Sequence, residues 1–199
     1  MDTDERIARD SVVAAARDLD VQGLNRGTSG NVSVRFRDGL LITPSGLPTA
    51  RMRPEDIVPM GLDGTHPPDQ KPSSEWRFHR DILAHRPEIG AVVHAHPVYC
   101  TAFAMCGRDI PAVHYMIAAF GGPTVRCAPY AAYGTAELSE LALAALVDRN
   151  VCLLANHGMI AAGASLEKAL WLAVELETLC HQYAVALQVG APVLLSDHE

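Results

Sequence analysis

The sequence predicts an α/β fold in which helices cover a mixed, mainly antiparallel sheet. Segments with strand patterns are interleaved along the chain with segments of helical periodicity. At least two strands are joined by a tight turn, because Asp38 and Gly39 separate the alternating segment 32–36 from the apolar segment 40–43. Neither a linker nor a repeat divides the 199 residues. We therefore expect a single domain that spans residues 1–199.

The other predicted elements follow from apolar periodicity and from residues that begin or end helices. The first helix is predicted over 4–22, where apolar residues recur on one face and Gly23 follows as a stop. Ser165 is a typical cap for the last helix, whose apolar residues recur at helical spacing until Gly190. Between them we predict strands at 57–60, at 91–96, around 125 and at 151–155, and helices at 73–85, after Pro97 and at 137–147.

The charge of the chain favours a small-molecule ligand. Sixteen Lys and Arg residues against 23 Asp and Glu residues give a formal net charge of −7. Without a cluster of basic residues, this charge argues against nucleic acid or an anionic membrane as the main partner. No apolar run approaches the roughly 20 residues that span a bilayer, and the acidic first residues do not resemble a signal segment. We expect a cytoplasmic protein.

A pair of histidines at the end of a predicted strand is the most informative feature of the chain. His94 and His96 are two residues apart, so both imidazoles point to one face of the strand and one metal ion can receive both. Glu75 and His157 lie at other junctions between elements without an evident structural task. Three imidazoles and one carboxylate suit zinc, with manganese or cobalt as alternatives. Taken alone, the pair is also compatible with ordinary strand histidines that have hydrogen-bond partners.

Two residues are candidates for proton transfer. A site closed by four protein ligands is usually structural, so catalysis requires one ligand to give its position to the substrate. Glu75 is that candidate, because a displaced carboxylate can accept a proton. Tyr115, which precedes a stretch of small residues, is a candidate proton donor, with simple packing as the alternative. Three histidines on predicted helices are expected to be surface or hydrogen-bonded core residues: His79, His85 and His181.

Three short segments are suited to bind phosphate. The loop 23–31 supplies three glycines and closely spaced backbone N–H groups between a helix and a strand. The turn 43–46 offers a hydroxyl and a flexible amide, and Ser73 and Ser74 lie where the amides of a helix N-terminus favour negative charge. Each segment has a simpler interpretation, as a helix stop, a hairpin turn and a helix cap respectively. The adjacency of Ser74 and Glu75 favours an anion site beside the metal.

Seven ordered motifs lie between residues 23 and 158, and the likeness that they carry extends over nearly the whole chain. They are GLNRGTSGNVSVR at 23–35, LITPSG at 41–46, SSEWRFH at 73–79, VVHAH at 92–96, IPAVHYMIAA at 110–119, CAPY at 127–130 and NHG at 156–158. Together they resemble the class II aldolase/adducin family, and such a series is specific for the family and less so for the substrate. The resemblance implies a three-layer α/β/α fold around a mainly antiparallel sheet.

The resemblance also implies roles for individual residues. It assigns one zinc ion per subunit to Glu75, His94, His96 and His157. It assigns phosphate binding to Thr28, Gly30, Asn31, Ser45, Gly46, Ser73 and Ser74. Members of the family are similar in forming homotetramers with active sites at subunit interfaces, which implies that Tyr115 reaches the active site of a neighbouring subunit.

The reaction that the resemblance implies is the reversible cleavage of a phosphorylated sugar. A ketose 1-phosphate similar to L-fuculose 1-phosphate would give dihydroxyacetone phosphate and a short aldehyde such as lactaldehyde. Alternatives within the family are 4-epimerisation of a pentulose phosphate, decarboxylation of a sugar-acid phosphate and dehydration of methylthioribulose phosphate. A non-catalytic, adducin-like scaffold is a further alternative, against which the intact set of ligands argues.

Overall fold

A computed structural model of the chain describes residues 1–196 and 198–199. Among these residues seven strands form one sheet: β1 (Asn31–Phe36), β2 (Gly39–Ile42), β3 (Val58–Gly61), β4 (Ala91–Ala95), β5 (Cys127–Ala128), β6 (Val151–Leu154) and β7 (Gly158–Gly163). Their order across the sheet is β3-β2-β1-β4-β7-β6-β5. All neighbouring strands are antiparallel except β5 and β6, which are parallel. The predicted mixed, mainly antiparallel sheet is confirmed.

The helices cover both faces of this sheet. In the described part of the chain they are α1 (Thr3–Val21), α2 (Trp76–His85), α3 (Val98–Met105), α4 (Ala136–Ala145) and α5 (Leu166–Val189). Apolar side chains of α1, α3 and α5 form one core with one face of the sheet, and those of α2 and α4 form a second core with the other face. The fold is therefore the three-layer α/β/α arrangement that the resemblance implied. No helix among the described residues has both the length and the apolar character needed to cross a membrane.

Three parts of the fold differ from the sequence prediction. Helix α2 begins at Trp76 rather than at Ser73, because the Trp76 N–H donates to the Ser73 carbonyl and closes a turn before the helix. The strand expected around 125 lies at β5 instead, and Val125 pairs with Ile110 in an isolated bridge. Strand β7 was not predicted, since its sequence GMIAAG is short and rich in small residues.

The register of the central strands positions the candidate site. Asn31 of β1 lies directly opposite His94 of β4. Side chains two residues apart share a face of a strand, so Asn31 and Ser33 lie on the same side of β1. That side faces α2, because Ser33 and Asn31 both contact His79 of this helix. The sheet therefore presents polar side chains to α2 at the end where β4 leads into His96.

Candidate metal centre

Four side chains from three parts of the fold meet at one end of the sheet. His94 lies in β4 and His96 follows that strand, while His157 lies in the turn between β6 and β7. Glu75 immediately precedes α2. The candidate ligand atoms of these four residues all lie within 4.8 Å of one another. The structure thus brings together all four candidate metal ligands that the sequence suggested.

The distances within the cluster show that the four side chains converge on one point. Glu75 Oε2 lies 3.2 Å from His94 Nε2, and Glu75 Oε1 lies 3.1 Å from His157 Nε2. The Nε2 atoms of His94 and His96 are 2.8 Å apart. The three imidazole centroids are separated by 4.7, 4.8 and 4.9 Å. His94 is fully buried, and Glu75 is 6% exposed, so little water reaches this part of the cluster.

The turn that carries His157 depends on its two neighbours. Asn156 has a φ of 56°, in the left-handed region that asparagine tolerates better than most residues. A Cβ on Gly158 would lie 2.5 Å from the Ala95 carbonyl oxygen and 2.6 Å from the His96 ring. Only glycine therefore permits this approach of β7 to β4. The Asn-His-Gly sequence holds His157 beside His96.

Glu75 does not act as an ordinary helix cap. Its side chain makes no capping hydrogen bond to α2, and its backbone N–H donates to Ser73 Oγ at 3.3 Å. The carboxylate turns instead to the histidines, and its Oε2 accepts a hydrogen bond from Asn31 Nδ2 at 2.9 Å. Glu75 Oε1 is buried, and although His157 Nε2 lies 3.1 Å from it, it accepts no hydrogen bond of regular geometry from the described residues. A buried oxygen without a partner is costly, and a cation at this point would satisfy it.

The pKa values within the cluster show how strongly these groups interact. Burial alone would raise the pKa of Glu75, but the adjacent charge of His94, together with His157, holds it well below its usual value. Burial alone would lower the pKa of His94, and the Glu75 carboxylate raises it above its usual value. Burial, with His94 and His157 beside it, lowers the pKa of His96 to about 3. The cluster thus favours an ionised carboxylate beside His94 and a neutral His96.

The donor set fits a divalent metal ion. Three imidazole nitrogens and one carboxylate oxygen are ligands that transition metals accept. His94 Nδ1 lies 2.8 Å from the Met159 carbonyl oxygen, which can only accept, so Nδ1 carries a proton and Nε2 is the atom whose lone pair faces the cluster once it is deprotonated for a metal ion. The unpartnered Oε1 of Glu75 points to the same conclusion. Glu75, His94, His96 and His157 could therefore hold a divalent metal.

The three segments suggested for phosphate are linked to one another by backbone hydrogen bonds. Thr43 exchanges hydrogen bonds with Val32, and the Ser73 N–H donates to the Thr43 carbonyl at 3.0 Å. The Ser45 N–H donates to the Lys71 carbonyl, also at 3.0 Å, which places the Ser45–Gly46 turn beside the segment that leads to Ser73. Thr28, Gly30 and Asn31 line one small cavity, and Ser74 lines the larger cavity at the metal cluster. The structure thus makes the three segments neighbours.

Asn25 joins the first of these segments to the histidine cluster. Its side chain is buried, and its Oδ1 accepts a hydrogen bond from the His96 backbone N–H at 3.2 Å. A Cβ on Gly30 would lie 2.1 Å from Asn25 Nδ2, so the loop can pass over this amide only where it lacks a side chain. This role of Asn25 is not visible in the sequence, because a lone asparagine after a helix stop is typical of a turn.

A cavity of about 310 Å³ opens beside the cluster and is lined by Glu75, His96, His157 and two tyrosines, among others. The tyrosines, Tyr130 and Tyr133, are 64% and 71% exposed. Both follow β5, which pairs with β6 and so ends near the His157 turn. Neither tyrosine was assigned a role from the sequence, although exposed tyrosines that follow a strand can line a binding cavity. The cavity is large enough for a small substrate.

Tyr115 is not brought to the cluster within one chain. It begins a short 3-10 helix, Tyr115–Phe120, and is 71% exposed. Its phenol lines a different cavity of about 620 Å³, whose wall includes Gly121 and Leu195. A role in the chemistry at Glu75 would require Tyr115 from another copy of the chain.

Comparison with known proteins places the chain in a family. Residues 10–184 match the family described as "Class II Aldolase and Adducin N-terminal domain". The chain is 55% identical over 195 residues to the 5-methylthioribulose-1-phosphate/5-deoxyribulose-1-phosphate aldolase of Rhodospirillum rubrum. The aligned region covers 98% of this chain and 88% of the relative. It is also 52% identical over 178 residues to the L-fuculose phosphate aldolase of Escherichia coli strain K12. Here the aligned region covers 89% of this chain and 83% of the relative.

A solved structure shows the same fold. The chain superposes on an L-fuculose 1-phosphate aldolase with a TM-score of 0.94 and 37% sequence identity, over 100% of this chain and 93% of the other. These relatives are aldolases, which are carbon–carbon lyases. The resemblance inferred from the sequence motifs is confirmed. The chain belongs to the class II aldolase and adducin family.

Proposed function

We propose that this protein is a zinc-dependent aldolase that reversibly cleaves a ketose 1-phosphate to dihydroxyacetone phosphate and a short aldehyde. The observation that carries the proposal is the convergence of Glu75, His94, His96 and His157, with a buried unpartnered carboxylate oxygen, beside a cavity of about 310 Å³. Residues 1–199 would form a single domain of this type, acting in the cytoplasm on a small phosphorylated sugar.

Zinc is the metal that this donor set favours. Zinc binds imidazole nitrogen and carboxylate oxygen in a tetrahedral arrangement, and the three histidines and Glu75 supply four such donors. When bound, a divalent metal ion acts as a Lewis acid and stabilises the negative charge that develops on substrate oxygens as the carbon–carbon bond breaks. No lysine that forms a Schiff base is then required.

Glu75 is the residue we assign to proton transfer at C3 of the dihydroxyacetone phosphate unit. Its Oε1 lies 3.1 Å from His157 Nε2 but accepts no hydrogen bond of regular geometry from the described residues, whereas its Oε2 accepts a hydrogen bond from Asn31. A carboxylate with one anchored and one unsatisfied oxygen can exchange a proton with a substrate carbon without losing its orientation.

The phosphate group would anchor the substrate at a fixed distance from Glu75. Three neighbouring segments contain the residues that we assign to phosphate binding, and they are joined by hydrogen bonds of Val32, Thr43 and Ser73: Thr28, Gly30, Asn31, Ser45, Gly46, Ser73 and Ser74. Ser74 adjoins Glu75 in the chain and lines the same cavity. Binding energy from the phosphate would hold the reacting carbons in place, which is a large source of rate enhancement.

Tyr115 would donate a proton to the C4 oxygen from a neighbouring subunit of a homotetramer. Its high exposure, and its place at a different cavity from the metal cluster of the same chain, support an origin in another copy. Active sites would then lie at subunit interfaces, and activity would require assembly.

The candidate substrates differ in the aldehyde that their cleavage would release. One relative is named for 5-methylthioribulose 1-phosphate and 5-deoxyribulose 1-phosphate, and another for L-fuculose phosphate. We place L-fuculose 1-phosphate first and the two ribulose derivatives second. Tyr130 and Tyr133 wall the cavity, and their rings would contact the carbon chain of the aldehyde in either case.

The experiment is a substrate panel with metal-quantified protein. Zinc-loaded enzyme is assayed with L-fuculose 1-phosphate, 5-deoxyribulose 1-phosphate and 5-methylthioribulose 1-phosphate, and products are identified by NMR. We expect Glu75→Gln to lower kcat by roughly 10²- to 10⁴-fold, and His94→Ala to lose both metal and activity. His85→Gln, an exposed change on α2, is the matched control. Full activity in either site variant contradicts the proposal, and epimerised, decarboxylated or dehydrated products favour the alternatives within the family.

A further inference from the structure

His79 is a fully buried histidine that lies outside the metal cluster. It belongs to α2, one turn after Glu75, and packs beneath β1. Its Nδ1 lies 2.7 Å from Ser33 Oγ, and its Nε2 contacts Asn31 Oδ1. Asn31 in turn donates to Glu75 Oε2 at 2.9 Å. Four polar side chains therefore form an unbroken row from the interior of the sheet to the candidate metal ligand.

The chemistry of these groups fixes the direction of every hydrogen bond in the row. The ionised carboxylate of Glu75 can only accept, so Asn31 must present its Nδ2 to it and its Oδ1 to His79. The amide oxygen also can only accept, so His79 Nε2 must carry a proton. Nδ1 of a neutral ring is then an acceptor, and the Ser33 hydroxyl donates to it.

The surroundings of His79 keep the ring neutral. Burial, with the charge of His94 nearby, lowers the pKa of His79 to about 3. A neutral ring has two tautomers, and only the Nε2–H form fits both neighbours in the row. The Glu75 carboxylate, which can only accept, therefore sets the orientation of the Asn31 amide and through it the Nε2–H tautomer of His79, and the Ser33 hydroxyl completes the row as a donor to Nδ1.

We propose that His79 is a positioning residue for Glu75, because its Nε2–H group holds the Asn31 amide so that Oε2 is anchored and Oε1 is left for a metal ion. This inference rests on the proposed metal site but not on the identity of the substrate. If the Asn31 amide turned over, its oxygen would face the Glu75 carboxylate, and two acceptors would repel each other at the distance now occupied by a hydrogen bond. In its Nε2–H form His79 opposes that rotation, since Nε2–H would then face the amide NH₂ group and the row would re-form only after a change of tautomer.

The alternative is that His79 is only a packing residue of the core. Its ring nitrogens would then form hydrogen bonds with neighbouring polar groups without positioning them. The two interpretations differ in what they predict for metal binding. A packing residue can be replaced by an apolar side chain of similar volume with effects confined to the stability of the fold. A positioning residue affects the affinity of the site even where the fold is intact, and partners of metal ligands commonly change that affinity by about 10- to 100-fold when removed.

The test measures the dissociation constant for zinc by competition with a chromophoric chelator, in the full chain without substrate. We expect His79→Leu to weaken zinc binding by roughly 10- to 100-fold. His79→Gln places an amide N–H where Nε2 lies, and we expect it to restore affinity to within about tenfold of the wild type. His85→Leu, on the exposed side of the same helix, is expected to leave the affinity unchanged.

Wild-type affinity in a folded His79→Leu chain overturns the proposal, as does equal weakening by Leu and Gln. If His79→Leu does not fold, the Gln variant and a second measurement decide. The ¹⁵N shifts of selectively labelled histidine must show the Nε2–H tautomer for His79 in the metal-free wild type, and the Nδ1–H tautomer there overturns the inference. Wild-type protein that binds zinc but cleaves none of the sugar phosphates contradicts only the proposed reaction.

Discussion

The Nδ1–H group of His94 donates a hydrogen bond to the carbonyl oxygen of Met159, at 2.8 Å. Met159 belongs to β7 and lies opposite Ala95 in the ladder with β4. Because a backbone carbonyl in a central strand cannot move independently, it fixes both the orientation of the imidazole and its tautomer. The imidazole of His94 is therefore held rigidly with Nε2 facing the cluster, which favours a metal site over a chance grouping of histidines.

Removal of metal should lower the stability of the fold. Folding assembles the four ligands, so a metal that binds only the folded chain stabilises it by about 2.7 kcal/mol when free metal is one hundred times the dissociation constant. We expect one zinc ion per chain by elemental analysis, and a lower unfolding temperature after dialysis against a chelator. His94→Ala, which cannot complete the cluster, should show the same unfolding temperature with and without the chelator. A chelator-induced shift of equal size in that variant would contradict the assignment of the site.

A glycine pair tests the link between the phosphate loop and the cluster. Gly30 and Gly27 both have a positive φ, of +77° and +70°, but a Cβ on Gly30 meets the Asn25 amide at 2.1 Å, whereas a Cβ on Gly27 meets nothing within 4 Å. Both alanine variants should bear a similar backbone strain of about 1 kcal/mol. Only Gly30→Ala displaces Asn25, which holds the His96 N–H.

For Gly30→Ala we therefore expect a fall in kcat/KM of roughly 10- to 100-fold, because small displacements of positioning groups have effects of this size. Gly27→Ala should retain activity close to that of the wild type. Steady-state kinetics on the preferred sugar phosphate provide the measurement. Equal losses in the two variants would show that backbone strain, and not the contact with Asn25, determines the result.

Much of the fold could be predicted because the local signals agree with the tertiary structure. The Asp38–Gly39 turn, the capping Ser165 and the apolar run before His94 each point to the element that forms. Strand β7 could not be predicted, because a short segment of glycine and alanine has no pronounced strand preference and is held by pairing on both sides. Pairing between distant segments is not visible in a local pattern.

The metal cluster could be predicted for a similar reason, since the spacing of His94 and His96 carries its own geometry. His79 was expected to be a surface residue or a hydrogen-bonded core residue. The structure shows that it is buried and hydrogen-bonded to Asn31. Its relation to Glu75 passes through Asn31, 48 positions away in sequence from His79 and on a different element. Only the pairing of β1 with β4 and the packing of α2 create that relation.

His79 should also leave a signature in the pH dependence of stability. Its pKa is about 3 in the folded chain, against an ordinary value of 6.5, so the unfolded chain takes up a proton at a pH where the folded chain does not. Stability is therefore lost as pH falls through 6.5 towards 3. Between pH 7 and 5.5 this group should account for about 1 kcal/mol of lost stability.

The measurement is denaturant unfolding of metal-free wild type and His79→Gln at both pH values and equal protein concentration. Other titrating groups, such as His96, remain in both proteins, so they cancel in the difference. We expect the wild type to lose about 1 kcal/mol more than the variant on acidification. An identical loss in the two proteins would mean that His79 takes up its proton as readily in the folded chain as in the unfolded one.

Subunit mixing can determine whether Tyr115 acts across an interface. Tyr115 and Glu75 line different cavities of one chain, so the proposed site needs Glu75 from one copy and Tyr115 from the next. In a ring of identical subunits joined by head-to-tail contacts, every site would draw on two neighbours in this way. Glu75→Gln and Tyr115→Phe each inactivate a different half of the site, and each variant alone should have low activity.

When the two variants are dissociated together and reassembled at equal amounts, some interfaces pair an intact Glu75 with an intact Tyr115. Random assembly in a ring makes this true of about a quarter of the sites, so activity should return to about that fraction of the wild type. A mixture of Glu75→Gln with His94→Ala is the matched control, because both changes lie in the same half of the site. Every site of such a mixture then contains one of the two changes. Recovery confined to the first mixture requires Tyr115 to act on a neighbour's Glu75, whereas no recovery in either mixture would place both residues in one subunit or remove Tyr115 from the reaction.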